Sequence, residues 1–201
     1  MAAEVKILKG YVKTENMILL LVAAVALGFI GGVVFSAYRL GGTTSATNAG
    51  GPMPITAQQE DMIASLLERT RNSPEDVEAW TQLGHLYFDT DQPVKAIDAY
   101  EKSLALDASR PDVWTDLGVM HRRNGEPQKA IEAFDKAVSL RNDHQIALYN
   151  KGIVLMHDLK DPQGAVAAWE KLLELNPDAK TPAGDPLKNI IEQMRKNNSP
   201  S

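Results

Sequence analysis

The sequence predicts an all-α fold: a superhelix of three helical hairpins that follows one transmembrane helix. Three observations predict it. The stretches AWTQLGHLY at residues 79–87 and VWTDLGVMH at 113–121 share Trp, Leu and Gly at one spacing, 34 residues apart. Apolar residues in and after both stretches recur at the helical period and not at the two-residue period of strands. Residues 17–38 carry no charge and match the ~20 apolar residues that a helix needs to cross a bilayer.

The flanks of this apolar stretch predict its orientation. Three lysines precede it, whereas Arg39 is the only basic residue after it before Arg69. Because basic residues remain on the cytoplasmic side, we expect a cytoplasmic tail at 1–16 and a signal anchor at 17–38. The rest would lie in the periplasm of a bacterium, held at the inner membrane by a single span. A cleaved signal peptide is the alternative interpretation.

Two features in and after the predicted anchor concern self-association of the chain and the flexibility of its link to the membrane. Small residues recur every fourth position within the span, at Ala24, Gly28, Gly32 and Ser36. Such a stripe allows close approach of a second helix, which predicts a homo-oligomer, although small residues are also common in membrane helices generally. Residues 39–56 are rich in Gly, Thr and Pro and predict a flexible linker.

The repeat accounts for the remaining chain, the domain at 57–197. Its copies occupy residues 77–110, 111–144 and 145–179, and the third has one extra residue near 160–163. A half-repeat helix precedes them, and a capping helix at 186–196 follows, because a stack of hairpins exposes apolar faces at both ends. The predicted helices are 57–72, 76–89, 93–107, 111–124, 127–140, 145–158, 162–175 and 186–196.

The period and its residues resemble the tetratricopeptide repeat, whose pattern W-x2-L-G-x2-Y, with a later Ala and aromatic residue, describes two antiparallel helices. The matching glycines are Gly84, Gly118 and Gly152, and the matching alanines are Ala96, Ala130 and Ala165. Small residues at these positions let the two helices of a hairpin approach closely, and the aromatics fill the space between hairpins. The resemblance implies a concave surface lined by the first helix of each repeat.

One face of those first helices is the predicted peptide-binding groove. Its residues are Glu78, Gln82, His85, Asp112, Asp116, Val119, Ile146, Tyr149, Asn150, Ile153 and Met156. The groove runs from acidic to apolar, so an acidic peptide terminus is a poor ligand and a basic amphipathic helix is a good one. Alternatively, the C-terminal helix itself covers the apolar end.

Residues 57–196 also resemble the membrane-anchored periplasmic factors of bacterial cytochrome c-type biogenesis. The segments that carry the resemblance are NSPEDVEAW, AIDAYEKSLALD, AIEAFDKAVSL and GAVAAWEKLLELNPD. It implies a chaperone-like adaptor whose client is apocytochrome c. The alternative is a scaffold that organises a membrane protein complex by self-association.

The composition argues against several other functions. The chain contains no Cys, which excludes disulfides, thiol catalysis and Cys-bound metals. The net charge of -5 argues against nucleic acid as a partner. The four histidines do not form an H-x3-H pair with a nearby acid, and no nucleophile or phosphate-binding motif occurs. The sequence therefore predicts no enzyme activity, no cofactor and no metal.

Overall fold

The computed structural model describes residues 55–197. Within this range the chain forms eight α-helices and no strand. They are α1 (Ala57–Asn72), α2 (Val77–Asp89), α3 (Pro93–Leu106), α4 (Pro111–Arg123), α5 (Pro127–Leu140), α6 (Gln145–His157), α7 (Pro162–Leu175) and α8 (Leu187–Asn197). The ends of each lie within one residue of the predicted ends.

The predicted tail, the transmembrane helix and most of the linker lie outside the described residues. Across 55–197, no helix has both the length and the apolar character required to span a bilayer.

Local sequence explains where the helices begin. Thr56 and Gln59 form a capping box at α1, in which the Gln59 amide donates to Thr56 Oγ1 (3.2 Å) and the Thr56 amide donates to Gln59 Oε1 (3.0 Å). Asp76 caps α2 by accepting a hydrogen bond from the Ala79 amide (2.9 Å). Four other helices begin with proline, which suits the first turn because it needs no amide donor there: Pro93, Pro111, Pro127 and Pro162.

A glycine brings the two helices of each hairpin together. A Cβ on Gly84, Gly118 or Gly152 would lie 2.5, 2.6 or 2.1 Å from the ring of Tyr100, Phe134 or Trp169. The aromatic ring of the second helix therefore sits directly on the backbone of the first. This packing is the close approach that the repeat pattern predicted.

The turn inside each hairpin contains one residue in the left-handed region. These residues are Asp91 (φ 52°), Gly125 (φ 76°) and Lys160 (φ 57°). Three residues separate the helices of the first two hairpins, and four separate α6 from α7. The extra residue predicted for the third copy thus lies in its turn, so the register of the helices is retained.

The tryptophan of the first two repeats bonds to the turn that precedes its helix, whereas the third repeat has Leu148 at this position. Trp80 Nε1 donates to the carbonyl of Pro74 and Trp114 Nε1 to that of Ala108, both at 2.9 Å. Each helix packs on its neighbours in the chain, and α4 also contacts both α2 and α6. The first helices of the three hairpins therefore lie side by side.

Both ends of the stack are covered within the described range. Helix α1 buries Leu66 and Thr70 as it packs on α2. Helix α8 packs on α7 through Leu187 and Ile191, which are 0% and 3% exposed. The spacer before α8 is pinned by a hydrogen bond from the Leu187 amide to the Ala179 carbonyl (2.9 Å). The capping role predicted for the last helix is thus met.

Candidate functional site

The predicted groove residues all lie on α2, α4 and α6, the three helices that lie side by side. Most of them are exposed or half-buried, as a binding surface requires. The charges and contacts along this face decide what it can bind, and they differ between its ends.

At the first repeat, the predicted acid is already paired. Arg110, the last residue of the repeat, reaches back to Glu78 through Nη2 (3.1 Å to Oε2) and to Thr81 through Nη1 (2.5 Å to Oγ1). Gln82 Nε2 donates to the other oxygen of Glu78 (3.1 Å). The Glu78 side chain nevertheless remains 55% exposed, so one side of its carboxylate still faces solvent.

The second repeat has Asp112 and His144 in place of Glu78 and Arg110, and it keeps the threonine as Thr115. His144, again the last residue of its repeat, places Nε2 2.9 Å from Thr115 Oγ1 and 3.2 Å from Asp112 Oδ1. Arg141 donates to both oxygens of Asp112, at 2.5 and 3.3 Å. The Arg141 hydrogen bond lowers the pKa of Asp112. Burial lowers the pKa of His144 below its ordinary 6.5.

The third repeat replaces this polar arrangement by apolar residues. With the extra turn residue counted, Ala179, Tyr149 and Ile146 stand where the first repeat has Arg110, Thr81 and Glu78. No ion pair between the start and end of the repeat can form there. The change from polar to apolar along the groove therefore follows from three substitutions at fixed repeat positions.

His85 links the first two repeats. Its Nε2 lies 3.3 Å from Asp116 Oδ2, so the pair joins α2 to α4, and its ring contacts Tyr100 edge to face at 5.7 Å between centroids. The hydrogen bond to Asp116 raises the pKa of His85. Protonation of His85 would therefore strengthen the contact between the two helices.

The apolar end is partly shared with the C-terminal helix. Tyr149, Ile153 and Met156 are half-buried and pack against the core cluster that includes Leu187 of α8. Ile146 is not covered and is 62% exposed. Helix α8 packs on α7 and leaves Ile146 exposed, so the apolar end of the groove remains open to a ligand.

The remaining two groove residues make local contacts. Asn150 Nδ2 donates to the carbonyl of Ile146 (3.0 Å), which is a bond within α6. Val119 is half-buried and packs against the core on both sides of α4.

Comparisons with known proteins agree with this architecture. The family described as "Tetratricopeptide repeat" matches residues 81–144 and 115–180. Residues 81–180 are tetratricopeptide repeats. A search of the curated proteins gives no match.

Several solved structures, two of them described as TPR (tetratricopeptide-repeat) domains, resemble the fold of the chain. A crystal structure of MamA is 27% identical, covers 60% of this chain and 72% of its own, and has a TM-score of 0.57. The first TPR of Spaghetti (RPAP3), bound to the HSP90 peptide SRMEEVD, is 21% identical. It covers 60% of this chain and 91% of its own, and has a TM-score of 0.53. The Arabidopsis OM64 TPR domain is 20% identical, covers 61% of this chain and 97% of its own, and has a TM-score of 0.54.

Tetratricopeptide repeats are protein–protein interaction modules, so residues 81–180 form a module of this kind. Within 55–197, no three His, Asp or Glu side chains are grouped so that they could hold a metal ion. The predicted association stripe at Ala24, Gly28, Gly32 and Ser36 lies outside the described residues and stays a prediction.

Sequence reasoning missed the residues that pair with the acids of the groove. Arg110, Arg141 and His144 lie on the turns between repeats and not on the first helices, where groove positions were counted. One signal was available, since Arg110 and His144 both occupy the final position of their repeats.

Proposed function

We propose that this chain is a membrane-tethered TPR adaptor that binds an amphipathic helix of a partner protein in the groove of α2, α4 and α6. The supporting observation is the exposed Ile146 beside the half-buried Tyr149, Ile153 and Met156. Covering this surface with leucine or aromatic side chains of a ligand removes apolar area from water, which contributes about 25 cal/mol per Å².

The polar end of the groove determines which sign of charge the ligand should carry. Glu78 and Asp112 pair with arginines yet remain 55% and 70% exposed, so each carboxylate can accept a second cation from the ligand. An acidic peptide would meet these carboxylates while the arginines are already engaged. We therefore expect basic residues to flank the apolar anchors of the ligand.

A binding experiment with matched variants tests the groove. The probe is a designed amphipathic helix with leucine on one face and lysine on the other, titrated into the full-length chain. Ile146→Asp should weaken binding about tenfold or more, because it places a carboxylate where a leucine would dock. Val94→Asp is the control, since Val94 is an exposed apolar residue (66%) on α3, outside the groove.

The acidic peptide SRMEEVD, which RPAP3 binds, serves as the negative probe. Preference for this peptide over the basic helix, or equal losses in the two variants, would contradict the proposal.

The finer part of the proposal is the pathway. The resemblance to the biogenesis factors suggests a chaperone-like adaptor in cytochrome c maturation, with the C-terminal helix of apocytochrome c as its client and the periplasm as its compartment. Co-purification from native membranes should then recover apocytochromes. A phosphatase fused to the C-terminus should be active in the periplasm, and activity confined to the cytoplasm would contradict the predicted orientation.

The alternative, a self-associating scaffold, rests on the stripe at Gly28 and Gly32. Gly28→Leu should then abolish self-association and leave the binding of the basic helix unchanged. The opposite pattern, in which Ile146→Asp removes the partner and Gly28→Leu has no effect, supports the adaptor.

A further inference from the structure

The second repeat contains a cavity that the groove does not use. It has a volume of about 500 Å³ and lies among α3, α4 and α5. Its apolar wall is formed by Leu104, Trp114, Leu117 and Ala133. This volume falls within the range of roughly 300–1,000 Å³ that is typical of ligand pockets.

The cavity and the groove lie on opposite sides of α4. Successive residues of an α-helix are rotated by about 100°, which places Asp112, Asp116 and Val119 on one face. Trp114 and His121, which line the cavity, fall on the other face. A ligand in the cavity and a ligand in the groove would therefore not compete for the same side chains.

His121 is where the second repeat departs from the repeat pattern. The first repeat has Tyr87 at this position, as the W-x2-L-G-x2-Y pattern requires, whereas the second has the smaller ring of His121. Tyr87 is 7% exposed, and Lys95 Nζ lies 5.4 Å from the centre of its ring.

The helix that follows is similar in the two repeats. Lys129, Glu132, Ala133 and Lys136 of the cavity correspond by position to Lys95, Asp98, Ala99 and Lys102. In the first repeat, the equivalent residues of the second helix pack around a tyrosine ring, Tyr87, which lies beside Lys95.

The polar group in the floor of the cavity is held in a fixed orientation. His121 is 4% exposed, and its Nδ1 lies 2.8 Å from Glu126 Oε2. The hydrogen bond from Lys129 lowers the pKa of Glu126 to about 2, so its carboxylate is ionised and accepts from Nδ1. Within the described residues, Nε2 makes no hydrogen bond. His121 lines the cavity, and in the neutral ring Nε2 is a free acceptor.

We propose that this cavity binds a tyrosine side chain of a partner protein, with the ring against Trp114 and Leu117 and the hydroxyl donating to His121 Nε2. The lysines at 129 and 136 and the glutamates at 101 and 132 surround the opening. Because both signs are present, residues beside the tyrosine are accepted whether acidic or basic. The ring and its hydroxyl therefore determine the specificity.

The test uses N-acetyl-tyrosinamide as the probe, titrated into the full-length chain and followed by the indole N–H signals of the three tryptophans. The Trp114 signal should shift, whereas the Trp80 and Trp169 signals, which report on other sites, should stay in place. Dissociation constants on the order of 1 mM are expected for so small a probe. N-acetyl-phenylalaninamide, which lacks the hydroxyl, should bind about tenfold more weakly because Nε2 then stays unpaired.

Two variants block the cavity from different helices. His121→Tyr restores the residue of the first repeat, and Ala105→Leu adds bulk from the exposed end of α3. Each should abolish the Trp114 shift, while His157→Tyr, at an exposed position outside the cavity, should retain it. If His121→Tyr fails to fold, Ala105→Leu still decides the question. Unchanged binding in a folded blocking variant, or equal affinity for the two probes, would overturn the proposal.

Discussion

At the scale of single residues, the glycine of each hairpin fixes how closely its two helices pack. A Cβ at Gly118 would lie 2.6 Å from Cε1 of Phe134, a residue that is 0% exposed. The same relation holds at the other two hairpins, so the repeat conserves a pair of residues and not one residue alone.

We therefore expect Gly118→Ala to destabilise the domain. Overpacking of a tight core costs about 1–3 kcal/mol, and the loss should appear as a lower midpoint in urea unfolding. In a Phe134→Leu background the same substitution should cost less, because the smaller side chain leaves room for the added methyl group. Equal costs in the two backgrounds would show that the ring contact is not the cause.

The two paired histidines of the groove should affect stability with opposite signs. Burial lowers the pKa of His144, so the unfolded chain binds its proton more readily than the folded chain. The contribution of His144 is then present above pH 6.5 and lost as pH falls through the folded pKa. The Asp116 hydrogen bond raises the pKa of His85, so its contribution is present below pH 6.5 and lost as pH rises through the folded pKa.

Free energies of unfolding measured at about pH 7.5 and about pH 5 separate these effects. Relative to the native sequence, His144→Gln should lose less stability on acidification and His85→Gln should lose more. The measurement is the change in unfolding free energy with pH, so a constant offset caused by the substitution itself does not matter. A change of the same sign in both variants would contradict the assignment.

The sequence could predict the glycine contacts but not the groove pairs, for a physical reason. Gly118 and Phe134 belong to the repeat pattern itself, so their periodicity reports their contact. Arg110 contacts Glu78 across 32 residues and Arg141 contacts Asp112 across 29. These pairs depend on the conformation of turns and on flexible side chains, which a helical period does not encode. The cavity could have been predicted from the sequence, because His121 stands where the first repeat has Tyr87.

At the scale of secondary-structure elements, α8 caps the third hairpin by packing on α7. Caps, prolines and apolar spacing predicted both ends of each of the eight described helices to within one residue. The docking of α8 was harder to predict, because the spacer between α7 and α8 has no helical period. The position of α8 is fixed by the hydrogen bond from the Leu187 amide to the Ala179 carbonyl and by the burial of Leu187 and Ile191.

Truncation of the buried face of α8 tests this role. Leu187→Ala should lower the free energy of unfolding by about 2–5 kcal/mol, the usual cost of a large cavity in a core. Lys188→Ala is the matched control, because the Lys188 side chain is exposed although it neighbours Leu187 in the chain. Substitution of an exposed residue usually changes the free energy of unfolding by no more than about 0.5 kcal/mol. Similar effects of the two substitutions would mean that α8 contributes little to the stability of the stack.

At the scale of the whole described domain, the contacts run mainly between neighbours in the chain. Such a stack is stabilised by each hairpin and by the interfaces between hairpins, so a local defect should spread to adjacent repeats. The middle hairpin has a repeat on each side, whereas α1 packs on α2 alone.

Amide hydrogen exchange should therefore distinguish a central defect from a terminal one. Phe134→Ala, which empties the middle hairpin at a residue that is 0% exposed, should reduce protection in α2 and α3 and in α6 and α7. Leu66→Ala, at the N-terminal end of the stack, should reduce protection in α1 and α2 while α6 and α7 keep theirs. Protection lost only within α4 and α5 after Phe134→Ala would mean that the hairpins fold independently. The groove could not then be held in shape by the stack, because its walls come from three different hairpins.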